Sequence, residues 1–268
     1  MTAKVMIVTG ASSGIGRALA IEGFKRGMKV VLAARSLEGL HETISESNAH
    51  PEAYLIVETD VTKKEDCEQL INRTLERFGK IDVLVNNAGI SMRALFEQVD
   101  VSVLERLMQV NFWGMVYCTR YAMSHLLETK GSVVGISSIA GHKGLPCRTG
   151  YSASKFAMHG FLESLRIENI KKGLHVLIAC PGFTASNIRK AALTGDGSQQ
   201  GESPRAEEKM MTAEIVASHI LQAIEKRKSS LVLTSQGKLT VWLNKFFPSL
   251  VDKLVFNHMA KEVDSPLK

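Results

Sequence analysis

Several features are scarce in this sequence, and each scarcity argues against a class of protein. Only four cysteines occur among 268 residues, and none forms a CxxC pair, so the sequence indicates neither a disulfide framework nor a cysteine zinc site. None of the eight histidines lies at HxH or HxxxH spacing, and we predict no metal. The net charge of +6 comes without a clustered basic, aromatic-rich stripe, which argues against nucleic acid as a partner.

Signals for membrane insertion and export are also missing. No apolar run is long enough to cross a bilayer, and no charged and apolar leader precedes the first strand-like run, which starts at Lys4. Together with the scattered cysteines, these absences lead us to expect a cytoplasmic protein.

Short apolar, β-branched runs are abundant, and helical patterns separate them. Because hydrophobic residues make up 45% of the chain, its length can build one large core. Seven such runs alternating with helices predict one α/β domain, with a parallel sheet covered by helices on both faces. The runs are residues 5–8, 30–33, 55–57, 81–85, 132–136, 176–179 and 231–233.

Two segments depart from this alternation. Residues 181–212 are polar and small, which indicates a mobile loop that serves as a lid or merely as a linker. Residues 238–268 form an apolar helical extension in which Pro248 predicts a break. Its apolar face either packs on the domain or a second subunit, or contacts a membrane surface. That face comprises Leu239, Trp242, Leu243, Phe246, Phe247, Leu250 and Leu254, with Lys238, Lys245 and Lys253 interspersed.

A glycine-rich turn follows the first strand-like run. Residues 9–20 read TGASSGIGRALA, with Gly10, Gly14 and Gly16 between a strand and a helix. Glycines there let the backbone approach a pyrophosphate, and the helix that follows offers free N–H groups and a positive dipole end. This context favours a dinucleotide site within residues 1–237.

With NNAG at residues 86–89, the chain resembles the short-chain dehydrogenase/reductase family. The resemblance covers residues 4–235 and rests on motifs in the family's order: TGASSGIG, Asp60 with Val61, NNAG, Asn111, SS at 137–138, YSASK at 151–155 and PG at 181–182. It implies a Rossmann fold whose strands are ordered 3-2-1-4-5-6-7, with the cofactor across their carboxyl ends. It also implies a homodimer or homotetramer.

The resemblance implies a role for each residue around the cofactor. Asp60 and Val61 would border the adenine, and Asn87, Ala88 and Gly89 would support the adenosine side. Ser12 and Ile15 would lie near the ribose and the diphosphate. The backbone after Pro181 and Gly182 would approach the carboxamide, although Thr184 replaces the family's usual Ile or Val.

The end of the second strand bears on the choice of cofactor. Selectivity for NAD normally needs an acid there, but this chain has Ala34 followed by Arg35. A guanidinium matches a 2′-phosphate, and Ser36 and Ser13 could add donors, so we predict NADP(H) rather than NAD(H). The alternative is that Arg35 stacks on the adenine or faces water and the protein accepts both cofactors.

Tyr151 and Lys155 lie four residues apart and therefore share a helix face. Hydride transfer between a ketone and an alcohol needs a group that gives and takes a proton, and a phenol can do so if nearby positive charge moves its pKa from about 10 toward 7. Ser138, at a strand end, can donate to the substrate oxygen. Asn111 is either a satisfied core amide or, as the family's proton relay implies, the holder of a water that links Lys155 to solvent.

The substrate cavity is expected to be walled by residues 91–93, 142–145, 147–148 and the 183–212 loop. Their apolar character favours an apolar ketone or secondary alcohol, and Arg93 and Arg148 either grip an acidic end or face water. We therefore predict an NADP(H)-dependent oxidoreductase. The alternatives are a membrane-surface 3-keto-lipid reductase and a non-catalytic nucleotide sensor.

Overall fold

Seven parallel strands form one sheet in the order β3-β2-β1-β4-β5-β6-β7, which confirms the predicted fold. The structure is a computed structural model that describes residues 3–205, 208 and 210–268. Every predicted run overlaps an observed strand, and the largest difference is at β4, which starts two residues later than predicted. The strands are β1 (Val5–Thr9), β2 (Lys29–Ala34), β3 (Tyr54–Glu58), β4 (Val83–Asn86), β5 (Ser132–Ile136), β6 (His175–Cys180) and β7 (Ser230–Val232).

Helices cover both faces of the sheet, because the central strands bury side chains on each side. One core cluster joins the sheet to α1, α2 and α7, and a second joins it to α3, α5 and α6. The helices are α1 (Gly14–Lys25), α2 (Leu37–Ser47), α3 (Lys64–Phe78), α4 (Val101–Met108), α5 (Gly114–Glu128), α6 (Thr149–Glu168), α7 (Ala213–Glu225), α8 (Ser235–Phe246) and α9 (Pro248–Met259).

The order of the strands creates the place where a ligand can bind. The chain runs outward from β1 to β3 and then crosses back to place β4 on the other side of β1. The loops after β1 and β4 therefore diverge at the carboxyl edge and leave a crevice between them. The glycine-rich turn leads directly from β1 into α1 at this edge.

The segment after β6 is attached to the domain more firmly than its composition indicates. Leu193 is 3% exposed and packs with Met92 in a small apolar cluster. Leu193 N also donates to the Ser91 carbonyl at 2.9 Å, and its own carbonyl accepts from Arg93 N at 2.8 Å. The described part of this segment is therefore tied to the loop after β4. Ala206, Glu207 and Lys209 of the predicted loop, like the first two residues of the predicted domain, lie outside the described residues.

The C-terminal extension forms two helices with a break at Pro248, as predicted. The break occurs because proline begins α9, where its missing N–H costs no helical hydrogen bond. Packing on the domain does not cover the whole apolar face, because six of its large side chains are 51–62% exposed, so contact with a second subunit or a membrane surface stays open for them: Leu239, Trp242, Phe246, Phe247, Leu250 and Leu254. Among the described residues, no helix has the length and apolar character to cross a membrane.

Candidate active site

Glycines shape the turn between β1 and α1. Gly10 and Gly14 have φ values of 67° and 53°, in the left-handed region that side chains rarely adopt. A side chain at Gly16 would overlap the Gly10 carbonyl oxygen, so only glycine lets the start of α1 approach the turn this closely. The N-terminus of α1 is left facing the crevice, with Ser13 as its N-cap.

Asn87 connects this turn to the end of β4. Its side-chain nitrogen donates to the carbonyls of Thr9 and Gly10, at 2.9 and 3.2 Å. The Thr9 hydroxyl in turn accepts from the backbone N–H groups of Asn87 and Ala88, both at 3.0 Å. These bonds fix the separation of the β1 and β4 loops and hence the width of the crevice.

The adenosine end of the crevice is polar. Burial would raise the pKa of Asp60, but hydrogen bonds from Thr62 and the charges of Arg35 and Lys63 outweigh it, so its pKa lies below the ordinary value. Arg35 is exposed beside it. The Ser36 hydroxyl accepts from Gly39 N at 3.1 Å and thereby caps α2. An ionised Asp60 and a guanidinium therefore face a ligand here together.

Ser138 and Tyr151 meet at the other end of the crevice. Ser138 follows β5, and Tyr151 lies in the first turn of α6. Burial raises the pKa of Tyr151, while a hydrogen bond with Ser138 and the charges of Arg148 and Arg189 lower it only in part. The expected shift toward neutrality is therefore not produced by the chain's own groups, because burial disfavours the phenolate more than these neighbours favour it.

Lys155 is 4% exposed and lies behind the tyrosine. Its Nζ donates to the Ile136 carbonyl at 2.8 Å and lies 5.6 Å from the centre of the Tyr151 ring. Burial lowers its pKa to about 8. The ammonium thus remains largely charged at neutral pH and is close enough to act on the phenol.

Asn111 lies in a π-helical turn, Gln109–Trp113, between α4 and α5. Its Oδ1 accepts from Ile90 N at 2.8 Å, and its Nδ2 donates to the Ile90 carbonyl at 3.0 Å and to the Ser154 hydroxyl at 2.9 Å. The helical distortion expected at this amide is present, and the amide fixes the backbone just after Gly89. These contacts are compatible both with a satisfied core amide and with an amide that holds a water between Lys155 and solvent.

A polar cluster behind Ser138 was not foreseen from the sequence. The Cys180 thiol lies 3.6 Å from His142 Nε2 and 3.7 Å from His159 Nε2, and His159 Nε2 lies 2.7 Å from the Ser137 hydroxyl. Burial raises the pKa of Cys180 to about 12, and burial with the charges of His142 and Lys155 lowers that of His159 to about 4. The Cys180 thiol and the His159 ring are therefore neutral near pH 7. Spacing rules missed them because they come from three separate elements.

The crevice is a cavity of about 440 Å³. Most of the predicted site residues line it; Gly16 and Asn111 lie just behind its wall and support Gly10 and Ile90. Those that line it are Gly10, Ser12, Ser13, Gly14, Ile15, Arg35, Ser36, Asp60, Val61, Asn87, Ala88, Gly89, Ser138, Tyr151, Lys155, Pro181, Gly182 and Thr184. Their individual roles stay predictions.

The wall expected around the substrate is only partly present. Ser91, Leu145 and Arg148 line the cavity, together with Phe183 and residues 186–189. Met92 is instead fully buried in the apolar cluster with Leu193. The expectation that Arg93 and Arg148 face water is wrong, because their side chains are 10% and 11% exposed and both lie beside Glu262.

Fold and site together define a dinucleotide-binding α/β protein with a serine, a tyrosine and a lysine at one end of its crevice. The family model described as short chain dehydrogenase matches residues 4–196. The chain belongs to the short-chain dehydrogenase/reductase family, whose members are oxidoreductases.

Individual relatives agree with this assignment. The chain is 34% identical to a Dictyostelium discoideum dehydrogenase/reductase SDR family protein 7-like, over 97% of this chain and 83% of the relative. It is 43% identical to 11-beta-hydroxysteroid dehydrogenase A of Arachis hypogaea, over 74% of this chain and 56% of the relative. A solved short-chain dehydrogenase/reductase from Burkholderia phymatum, in complex with NAD, superposes with a TM-score of 0.83 at 28% identity, over 92% and 95% of the two chains.

The cofactor of that neighbour is a nicotinamide dinucleotide, and the crevice of this chain fits such a group. The open glycine turn leaves the N-terminus of α1 free for a diphosphate, and Lys155 lies at the opposite end of the same cavity. A nicotinamide cofactor is therefore the expected hydride carrier.

Proposed function

We propose that this protein is an NADP(H)-dependent oxidoreductase that transfers a hydride between the nicotinamide and an apolar ketone or secondary alcohol. The observation that carries the proposal is the convergence of Ser138, Tyr151 and Lys155 on the cavity bordered by the glycine turn. Any one of these residues would be unremarkable alone. Together they place a hydrogen-bond donor, an acid/base and a cation beside a dinucleotide crevice.

Each residue has a distinct task in this proposal. When bound, the cofactor supplies the hydride and, in its oxidised form, a positive ring. Tyr151 gives a proton to the substrate oxygen during reduction and takes it back during oxidation. Ser138 donates to the same oxygen and orients it, while the charge of Lys155 favours the phenolate.

The preference for NADP(H) rests on Arg35. Its exposed guanidinium lines the adenosine end of the cavity, where an acid selective for NAD is replaced by Ala34. Asp60 tempers the preference because its lowered pKa keeps a negative charge close to Arg35. The NAD in the Burkholderia phymatum neighbour shows that a related chain of this fold accommodates NAD.

The proposed reaction is tested by NADPH and NADH oxidation against aliphatic, steroid and 3-ketoacyl carbonyls. The 11-beta-hydroxysteroid dehydrogenase relative makes the steroid arm the first to examine. We expect turnover with at least one ketone, and faster turnover with NADPH. Tight NADPH binding without turnover of any carbonyl would instead support the nucleotide-sensing alternative.

The exposed face of α8 and α9 supports a second candidate, a reductase of 3-keto lipids at an anionic membrane surface. Trp242 and Phe246 are 56% and 62% exposed, their ring centres are 5.5 Å apart, and exposed lysines flank them. Such a face suits shallow insertion beside anionic headgroups. Flotation with phosphatidylserine vesicles tests it: the full chain should float, and Trp242→Ala with Phe246→Ala should not.

We further propose a homo-oligomer that uses the outer face of α5 and α6. Trp113, just before α5, and Phe156, on α6, are 43% and 47% exposed, and Trp113 stacks on Tyr117 with a centroid distance of 5.9 Å. Large apolar side chains that are exposed to solvent in the single chain are typical of a protein interface. Light scattering of wild type and Phe156→Asp would separate a dimer or tetramer from a monomer.

A further inference from the structure

A single carboxylate from the C-terminal segment holds three arginines. The Glu262 side chain is 3% exposed, and its oxygens lie 2.6 Å from Arg205 Nε, 3.4 Å from Arg148 Nη2 and 3.5 Å from Arg93 Nε. The arginine side chains are 10–16% exposed. Three buried guanidinium groups are stable side by side only while the Glu262 carboxylate supplies an opposite charge.

The three arginines come from three different loops at the carboxyl edge of the sheet. Arg93 follows β4, Arg148 follows β5 and Arg205 follows β6. The first two loops are joined by Ala94 N, which donates to the Cys147 carbonyl at 3.0 Å. The first and third are joined by the hydrogen bond from Arg93 N to the Leu193 carbonyl. Glu262 therefore lies at the point where all three loops meet.

Further contacts hold the C-terminal segment against these loops. Arg93 Nη2 donates to the Val263 carbonyl at 2.6 Å, and Arg205 Nη1 lies 3.0 Å from His258 Nε2. The Arg205 guanidinium also lies 3.9 Å from the centre of the Phe183 ring, and Phe183 lines the cavity. The carboxylate is thus connected to the cavity wall, although Glu262 itself does not line it.

The link to the reacting groups runs through Arg148. This residue lines the cavity, its charge lowers the pKa of Tyr151, and its carbonyl accepts from Ser152 N at 2.8 Å, in the first turn of α6. Moving Arg148 would therefore move both the cavity wall and the start of the helix that carries Tyr151.

We propose that Glu262 is a positioning residue for the substrate: it locks the loops after β4, β5 and β6 into one wall, and this sets the affinity for the carbonyl without contact with it. The proposal rests on the proposed function for its effect on substrate. The locking itself is independent of any reaction. A residue more than a hundred positions from Arg148 in sequence would then belong to the substrate side of the enzyme.

The test compares Glu262→Gln with Glu225→Gln, which makes the same chemical change in a more exposed ion pair with Arg26, and neither residue of that pair lines the cavity. Hydrogen exchange of the Arg93, Ala94 and Leu193 amides reports the locking without substrate. Steady-state kinetics report KM for the carbonyl, and NADPH titration reports cofactor affinity.

For Glu262→Gln we expect exchange at these amides to quicken about tenfold or more and KM for the carbonyl to rise about tenfold, with NADPH affinity unchanged. Glu225→Gln should match wild type in all three. Unchanged exchange in Glu262→Gln would overturn the proposal even if no carbonyl were turned over, which separates its failure from failure of the proposed function. Faster exchange with an unchanged KM would reduce Glu262 to a structural role and would also overturn it.

Two further variants keep the test decisive if Glu262→Gln does not fold. Glu262→Asp keeps the charge but withdraws the carboxylate, and we expect an intermediate KM. The double variant Arg205→Gln with Glu262→Gln keeps the net charge of the cluster and should fold, with rapid exchange at Leu193. Wild-type exchange and KM in both would contradict the proposal.

Discussion

Replacing Lys155 with methionine should abolish turnover near neutral pH while making the protein more stable. The substitution removes the ammonium that lies 5.6 Å from the centre of the Tyr151 ring, so the phenolate loses a nearby positive charge. The pKa of Lys155 is about 8 in the folded chain and about 10.5 when unperturbed. At about 1.36 kcal/mol per pKa unit, holding this group charged in the fold costs about 3 kcal/mol at pH 7.

Removing the ammonium removes this cost and so stabilises the fold. The same substitution also removes the hydrogen bond from Nζ to the Ile136 carbonyl, whose loss costs about 1–2 kcal/mol. We therefore expect a net stabilisation of about 1–2 kcal/mol at pH 7, which corresponds to a few degrees in Tm for a chain of this size. Between pH 8 and 10.5 the unfolded chain binds more protons at this site than the folded one, so wild-type stability rises with pH. The advantage of the variant should accordingly disappear by about pH 10.

The assay is thermal unfolding of Lys155→Met and wild type at pH 7 and pH 10, with turnover measured at pH 7. Lys226→Met, at an exposed site, serves as the matched control and should change neither quantity. A variant that keeps wild-type turnover would refute the proposed role of Lys155. A variant with a lower Tm at pH 7 and the same deficit at pH 10 would refute the burial argument.

Three other substitutions test separate parts of the account. Gly16→Ala should lower stability by about 1–3 kcal/mol and weaken NADPH binding, because its methyl group would overlap the Gly10 carbonyl; Gly144→Ala, with open space around it, should do neither. Asn111→Ala should lower the free energy of unfolding by about 1–3 kcal/mol in urea titrations, because it leaves the partly buried N–H and carbonyl of Ile90 without their side-chain partner. Arg35→Asp should shift the ratio of kcat/KM for NADPH to kcat/KM for NADH toward NADH by about 100-fold or more, because a carboxylate repels a 2′-phosphate. Arg73→Asp, at an exposed site on α3, should leave this ratio unchanged. An unchanged ratio in Arg35→Asp would contradict the predicted preference.

The sheet could be predicted from the sequence because each strand and helix is indicated by residues that lie close together in the chain. Parallel strands buried on both faces appear as continuous apolar runs, and crossover helices appear between them. The glycine turn could be predicted for a similar reason, because the backbone geometry that requires Gly10, Gly14 and Gly16 involves only residues a few positions away.

The substrate side could not be predicted in the same way, because its contacts join distant parts of the chain. Arg93 and the Val263 carbonyl are 170 positions apart, so no local pattern pairs them. The cluster of His142, His159 and Cys180 likewise joins a loop, a helix and a strand end. The burial that raises the pKa of Tyr151 in the chain alone also comes from packing that no sequence window contains.

The central claim is that Tyr151 exchanges a proton with the substrate oxygen while the cofactor carries the hydride. The most direct measurement is single-turnover oxidation of bound NADPH by a ketone that wild type reduces, repeated with Tyr151→Phe after its NADPH affinity has been shown to be normal. We predict that the variant binds NADPH like wild type and oxidises it at least about 1000-fold more slowly. Oxidation at the wild-type rate would contradict the account.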